Sequence, residues 1–118
     1  MKLISWNCWG AGRPPTVRAI KALARSEGPD VLFLAETKIN ALKVNQLRLA
    51  MGFSDSFCVD CSGKAGGLAL FWKYRVEFEV VFSNQNCIAA LVYSDPPESP
   101  WLLIGVYGPP YLALRRKF

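Results

Sequence analysis

At 118 residues the chain fits one folded unit, a domain or a piece of one, because two hydrophobic cores need more chain than this. Hydrophobic residues make up 52% and charged residues 19%, too apolar for a disordered tail and too often interrupted by charge for a membrane span of about 20 residues. Fourteen Lys and Arg against nine Asp and Glu leave a net charge of +5, which favours polyanionic partners without requiring one.

The N-terminal stretch meets the polar Asn7 before an apolar run of signal-peptide length develops, so no export signal is read. The expected setting is intracellular, nucleus or cytoplasm. Residues 2–7 alternate and carry Ile4 and Trp6, the pattern of a strand, and Gly10-Ala11-Gly12 with Pro14-Pro15 breaks it. A helix is expected next. Pro15 suits an early helical position, and Val17, Ile20, Leu23 and Ala24 recur at helical spacing while Arg18, Lys21 and Arg25 fall elsewhere. Gly28-Pro29 ends it. The uninterrupted apolar run Val31-Leu32-Phe33-Leu34-Ala35 is of the kind found in strands buried on both faces, and it stops at Glu36.

Residues 41–51 predict a second helix with Asn40 as N-cap, Leu42, Leu47, Ala50 and Met51 on the buried side, and Gly52 as its stop. The pattern then turns to β: residues 53–58, 67–72, 75–82, 87–93 and 101–107 read as strands separated by Gly, Asn, Ser or Pro. Lys64-Ala65-Gly66-Gly67 reads as a turn, Asp95-Pro96-Pro97-Glu98-Ser99-Pro100 as a loop between strands, and residues 112–118 as the start of a further helix. The order β-α-β-α followed by strands predicts an α/β layered fold of mixed sheets with helices outside.

Cys8, Cys58, Cys61 and Cys87 read as reduced thiols. Cys58-Val59-Asp60-Cys61 has the spacing of a zinc knuckle or redox pair, but a tetrahedral zinc site needs two further ligands and the chain has no histidine. Ordinary thiols are the better reading.

Asn7, Glu36 and Tyr107 each close an apolar strand where the chain passes into a loop, the kind of edge at which ligand sites collect. A carboxylate there must stay solvated, find a cationic partner or bind a metal, because burying it unpaired is costly. Lys38 offers Glu36 a structural ion pair. Magnesium offers the other outcome, since it takes oxygen ligands and often only one or two carboxylates beside water and phosphate oxygens. Spacing leaves both open. Asn7 can supply an oxygen to a metal, an amide donor to a phosphate, or only a turn hydrogen bond. Tyr107 can donate its phenol to a phosphate oxygen, or sit as an amphipathic aromatic at the edge of the core.

Four segments in order, Ser5-Trp6-Asn7-Cys8, Pro29-Asp30-Val31-Leu32-Phe33-Leu34-Ala35-Glu36-Thr37-Lys38, Gly66-Gly67-Leu68-Ala69 and Gly105-Val106-Tyr107-Gly108-Pro109, resemble successive motifs of the endonuclease/exonuclease/phosphatase superfamily. The runs W-N-C-W-G-A-G, L-A-E-T-K and G-V-Y-G-P-P are similar to the endonuclease domain at the front of plant non-LTR retrotransposon polyproteins. This resemblance implies a four-layer α/β sandwich related to deoxyribonuclease I and the abasic-site endonucleases, here an N-terminal portion truncated at its C-terminus. It implies Asn7 in the active-site hydrogen-bond and metal environment, Glu36 as the magnesium ligand and Tyr107 on the scissile phosphate. The implied partner is nucleic acid, DNA by the retroelement likeness, and not a membrane.

The family's later elements, an Asp and an Asn one residue apart and a later Asp-His pair, find no match. None of Asp30, Asp55, Asp60 and Asp95 is followed two places on by Asn, histidine is absent, and Pro110 stands where relatives often carry Asn. The expectation is a fragment of a magnesium-dependent, phosphodiester-hydrolysing endonuclease domain, inactive alone and holding magnesium weakly or not at all. The alternative is a non-catalytic basic nucleic-acid-binding fragment or a retroelement remnant. A sandwich without its later strands should also expose an apolar sheet face open to self-association.

Overall fold

In the computed structural model, which describes residues 1–61 and 66–107, the apolar run at the middle of the first sheet organises the rest. In chain order the elements are β1 (Leu3–Asn7), α1 (Pro14–Glu27), β2 (Val31–Ala35), α2 (Ala41–Met51), β3 (Asp55–Val59), β4 (Leu68–Trp72), β5 (Phe78–Asn84), β6 (Cys87–Val92) and β7 (Trp101–Val106). All five residues of β2 are buried. It pairs in parallel with β1 and antiparallel with β4, giving the order β1-β2-β4-β3. A parallel pair needs a crossover, and α1 supplies it. The second sheet, β5-β6-β7, is antiparallel throughout.

Side-chain alternation sorts the first sheet into two faces. Leu32, Leu34, Ala69 and Phe71 pack with Ile20 of α1 and with Val44 and Leu47 of α2. On the other face Val31, Phe33, Ala35, Leu68 and Leu70 meet Ile88 and Val92 of the second sheet. The layers are therefore helices, sheet and sheet, a mixed α/β sandwich.

Both helices end as the sequence suggests. Pro14 and Pro15 open α1, and Gly28 closes it at φ 54° with its N–H on Ala24 O. Asn40 Oδ1 accepts from the Lys43 N–H at 3.1 Å, and Gly52 ends α2 at φ 82°. The buried face of α2 differs from expectation. Val44 and Leu47 are its buried residues, with Met51 half-buried, whereas Ala50 is exposed and Leu42 is 66% exposed. Residues 44, 47 and 51 recur at three and four places and form one stripe, and residue 42 falls on the opposite side of the cylinder.

Strand bounds shift as well. The segment expected at 53–58 pairs as Asp55–Val59, and that expected at 75–82 pairs only from Phe78. Arg75 is held elsewhere: its Nε donates to Asp30 Oδ1 at 3.0 Å and its Nη2 lies 2.9 Å from Asp30 Oδ2. Lys64 and Ala65 of the expected turn, Gly108-Pro109-Pro110 and the expected helix start at 112–118 lie outside the described residues.

Two contacts fix how the sheets face each other. A Cβ on Gly105 would stand 2.7 Å from the Phe33 ring, so β7 crosses directly over β2. At the other end Trp101 Nε1 donates to Asp95 O at 3.2 Å, and Arg75 reaches both Asp95, at 3.6 Å, and Asp30. Asp30 immediately precedes β2, so β7 and β2 run in the same direction and finish at the same edge. The inner face of the first sheet is thus largely covered by β5 to β7, and the exposed apolar face lies outside the second sheet. There Leu102, Ile104 and Val106 are 51, 52 and 55% exposed, and Val81 and Phe82 are exposed with them. Among the described residues no helix is long and apolar enough to cross a membrane.

Candidate active site

Three chain segments meet beyond the edge where β1 and β2 end and β4 begins. The ladder does not stop with the strands. Cys8 N–H donates to Ala35 O at 3.0 Å, Gly10 N–H to Glu36 O at 2.8 Å and Ala11 N–H to Thr37 O at 2.6 Å. From the other side Thr37 N–H donates to Gly67 O at 3.1 Å and Lys38 N–H to Gly66 O at 3.0 Å. The segment 36–38 is consequently tied on both sides, like a strand in the middle of a sheet, without strand geometry.

The backbone conformations show the cost. Trp9, Glu36 and Lys38 have φ of 52, 56 and 54°, the left-handed region that side chains rarely adopt. Each such residue costs about 1 kcal/mol or more, and such strain concentrates at functional sites. Glycine is required at position 67, where φ is 93° and a Cβ would run into Thr37 Oγ1.

This lacing buries the carboxylate of Glu36. The residue is 7% exposed and its Oε2 has no hydrogen-bond partner among the described residues, as is also true of the neighbouring Thr37 Oγ1. The ion pair that Lys38 offered in the sequence does not form, since no ion pair among the described residues includes either side chain. Lys38 instead extends towards Trp9, with Nζ 6.0 Å from the ring centroid. A buried acceptor left unpaired costs about 1–3 kcal/mol.

Asn7 is the last residue of β1, in register with Ala35, the residue before Glu36, and it is exposed. Tyr107 follows β7, half-buried against the inter-sheet core, and its N–H donates to Asn86 O at 2.7 Å. The common direction of β2 and β7 carries Tyr107 to the edge occupied by Asn7 and Glu36. All three residues singled out in the sequence thus collect at one edge.

The donor set suits a particular kind of cation. A lone, unpartnered carboxylate oxygen fits an ion that fills its other positions with water and phosphate oxygens. A closed cage is not available: among the described residues no group of three or more His, Cys, Asp and Glu could hold a metal.

Cys8 also belongs to this edge, and sequence reasoning missed it as a neighbour of the site. Its buried Sγ donates to Ala35 O at 3.4 Å and lies 3.7 Å from Glu36 O. Burial pushes its thiol up, and the nearby Glu36 charge adds to this, so it stays a neutral donor. Burial also raises Cys58, with Asp60 contributing, the reverse of what a reactive thiolate needs. Trp9 was missed too; its signal was an aromatic residue in a glycine-rich turn.

The model of the Endonuclease/Exonuclease/phosphatase family matches residues 4–113. No curated protein matches the chain. Among solved structures, AP endonuclease LMAP from Leishmania major is similar at TM-score 0.63 and 18% identity, over 92% of this chain and 40% of that one. The APE2 catalytic domain of Xenopus laevis is similar at TM-score 0.65 and 18% identity, over 99% of this chain and 48% of its own. A 3′ phosphatase from Neisseria, bound to a product DNA hairpin, is similar at TM-score 0.56 and 21% identity, over 91% and 41%. The chain spans less than half the length of each of these structures, and at such identities the likeness shows the fold alone.

Proposed function

Because the chain belongs to the endonuclease/exonuclease/phosphatase family, we propose that it is the metal- and phosphate-holding part of a magnesium-dependent domain that hydrolyses phosphodiesters in DNA. The observation that carries this reading is the buried, unpartnered Oε2 of Glu36 in a strained three-loop junction. A magnesium ion held by Glu36 would withdraw charge from a phosphate oxygen and orient it for attack. The Asn7 amide, exposed at the same edge, donates to a phosphate oxygen, and the Tyr107 phenol donates to the scissile phosphate. Neither residue is basic enough to activate water at neutral pH.

With no histidine and no Asp-x-Asn, these 118 residues bind the metal weakly and do not cut by themselves. Retroelement type rests on the wording of the motifs at Trp6 to Gly12, Leu34 to Lys38 and Gly105 to Pro110. An intracellular setting, nuclear or cytoplasmic, suits the four free cysteines. The exposed row of Leu102, Ile104 and Val106 supports self-association, which would appear as a sedimentation coefficient that rises with concentration.

The test combines two measurements. Magnesium should raise the thermal midpoint of the parent slightly and leave that of Glu36→Gln unchanged, while neither protein nicks supercoiled DNA. Equal magnesium shifts in both proteins would remove Glu36 as the ligand. Magnesium-dependent nicking that survives purification and disappears in Glu36→Ala would overturn the inactivity.

A further inference from the structure

On the two loops joined by the Gly10 N–H to Glu36 O bond stand three side chains to which the reaction above gives no role: Trp9, Arg13 and Lys38. Trp9 is 62% exposed, on a residue held at φ 52°. A large apolar ring kept in water by a strained backbone is doubly unfavourable unless something covers it. Lys38 Nζ approaches the ring to 6.0 Å, the outer limit of a cation–π contact. Arg13 lies on the same loop. A Cβ on Gly10 would stand 3.8 Å from Arg13 Nε and 3.9 Å from Lys38 Cδ, so the two cationic chains flank one small residue. Arg13 Nη2 donates to Thr16 Oγ1 at 3.3 Å, which orients the guanidinium. Among the described residues neither cation has an ion-pair partner.

The basic surface continues. Past Gly12 and Ile39 an open groove of about 250 Å³ between α1 and α2 is lined by Lys21, Lys43 and Gln46 over an apolar floor. The whole run starts one residue from Gly10, whose N–H holds the Glu36 carbonyl.

We infer that Trp9 is a stacking platform for an unpaired nucleobase next to the phosphate held through the metal at Glu36, with Arg13 and Lys38 holding the phosphates of that single strand. This rests on the reading of Glu36 given above and names the form of nucleic acid that the site prefers. An aromatic ring accepts any base by its face, but bases in a duplex present only their edges to a protein. Two uncompensated cations beside the ring favour a polyanion, whose phosphates they neutralise.

The experiment measures binding of the full chain to three labelled DNA probes by fluorescence anisotropy: a short single strand, the same backbone with abasic residues, and a blunt duplex. The parent should prefer the base-bearing strand over both others. Trp9→Ala should weaken binding to that strand by roughly 5- to 100-fold and leave the abasic strand unchanged, since stacking acts per base. Trp9→Phe should retain part of the preference. Arg13→Gln and Lys38→Gln should weaken the base-bearing and abasic strands alike and flatten the salt dependence. Equal losses on the two strands in Trp9→Ala, or an unchanged preference for bases, would overturn the inference. If that happens while magnesium still stabilises the parent and not Glu36→Gln, only the stacking fails. If the base preference holds while the magnesium effect is absent, only the Glu36 reading fails. Binding to none of the probes would sink the stacking inference, and would sink both readings if the magnesium effect is absent as well.

Discussion

Glu36 carries two costs at once, a left-handed backbone at φ 56° and a carboxylate oxygen buried without a partner. Folded chains keep such a residue where another demand outweighs stability. The sequence made the residue conspicuous, because the apolar run Val31 to Ala35 ends on it. Its burial was not legible, since that depends on Gly66 and Gly67, far along the chain, accepting from Lys38 and Thr37. The same distance hid the need for glycine at 67, which only the position of Thr37 explains. Glu36→Gln removes the charge while keeping the shape. Without divalent cation this variant should therefore unfold at the same denaturant midpoint as the parent or a higher one. A loss above about 1 kcal/mol in chemical denaturation would mean that the carboxylate holds the structure together and is not reserved for a ligand.

At the scale of elements, continuous apolar runs were easier to read than amphipathic ones. Val31 to Ala35 announced a strand covered on both faces and β2 is that strand, whereas the stripe expected for α2 took in Leu42 and passed over Val44, which is in step with Leu47 and Met51. Pairings across long separations were invisible. Asp30 shows this best: its carboxylate accepts from the Lys2 N–H at 2.7 Å and from Arg75, while its carbonyl accepts from the Lys73 N–H at 3.0 Å. One residue thereby ties the start of β1, the start of β2 and the turn after β4. The Arg75 hydrogen bond, with help from the Lys2 backbone, holds the Asp30 carboxyl below its usual value. Folding favours the charged form, so the stabilisation is fully present above the ordinary aspartate range, about pH 4, and is lost as pH falls through the lowered folded value. Asp30→Asn should melt about a few degrees below the parent at neutral pH, and the gap should close as the solution is acidified past that range. Thermal melts across the acid range check this, and a gap independent of pH would dismiss the charged staple.

For the whole molecule, the order of elements indicated layers but not which strand would lie over which. The site depends on that placement, because Tyr107 reaches the edge of Asn7 and Glu36 only if β7 runs along β2. The contact that sets this is between Gly105 and Phe33, where the absence of a side chain on one sheet admits a ring from the other. Sequence reading took Gly105 as part of a motif near the site and had no way to see its packing. Any Cβ at 105 would press on the ring at 2.7 Å, and a valine would force the sheets apart. Gly105→Val should therefore cost about 1–3 kcal/mol, the usual penalty for overfilling a packed core. The cost should depend on the ring: in Phe33→Ala, which vacates the space, the same change at 105 should cost much less. Denaturant unfolding of the four proteins in a double-mutant cycle measures the coupling, and strictly additive losses would show that β7 does not rest on β2 through this pair.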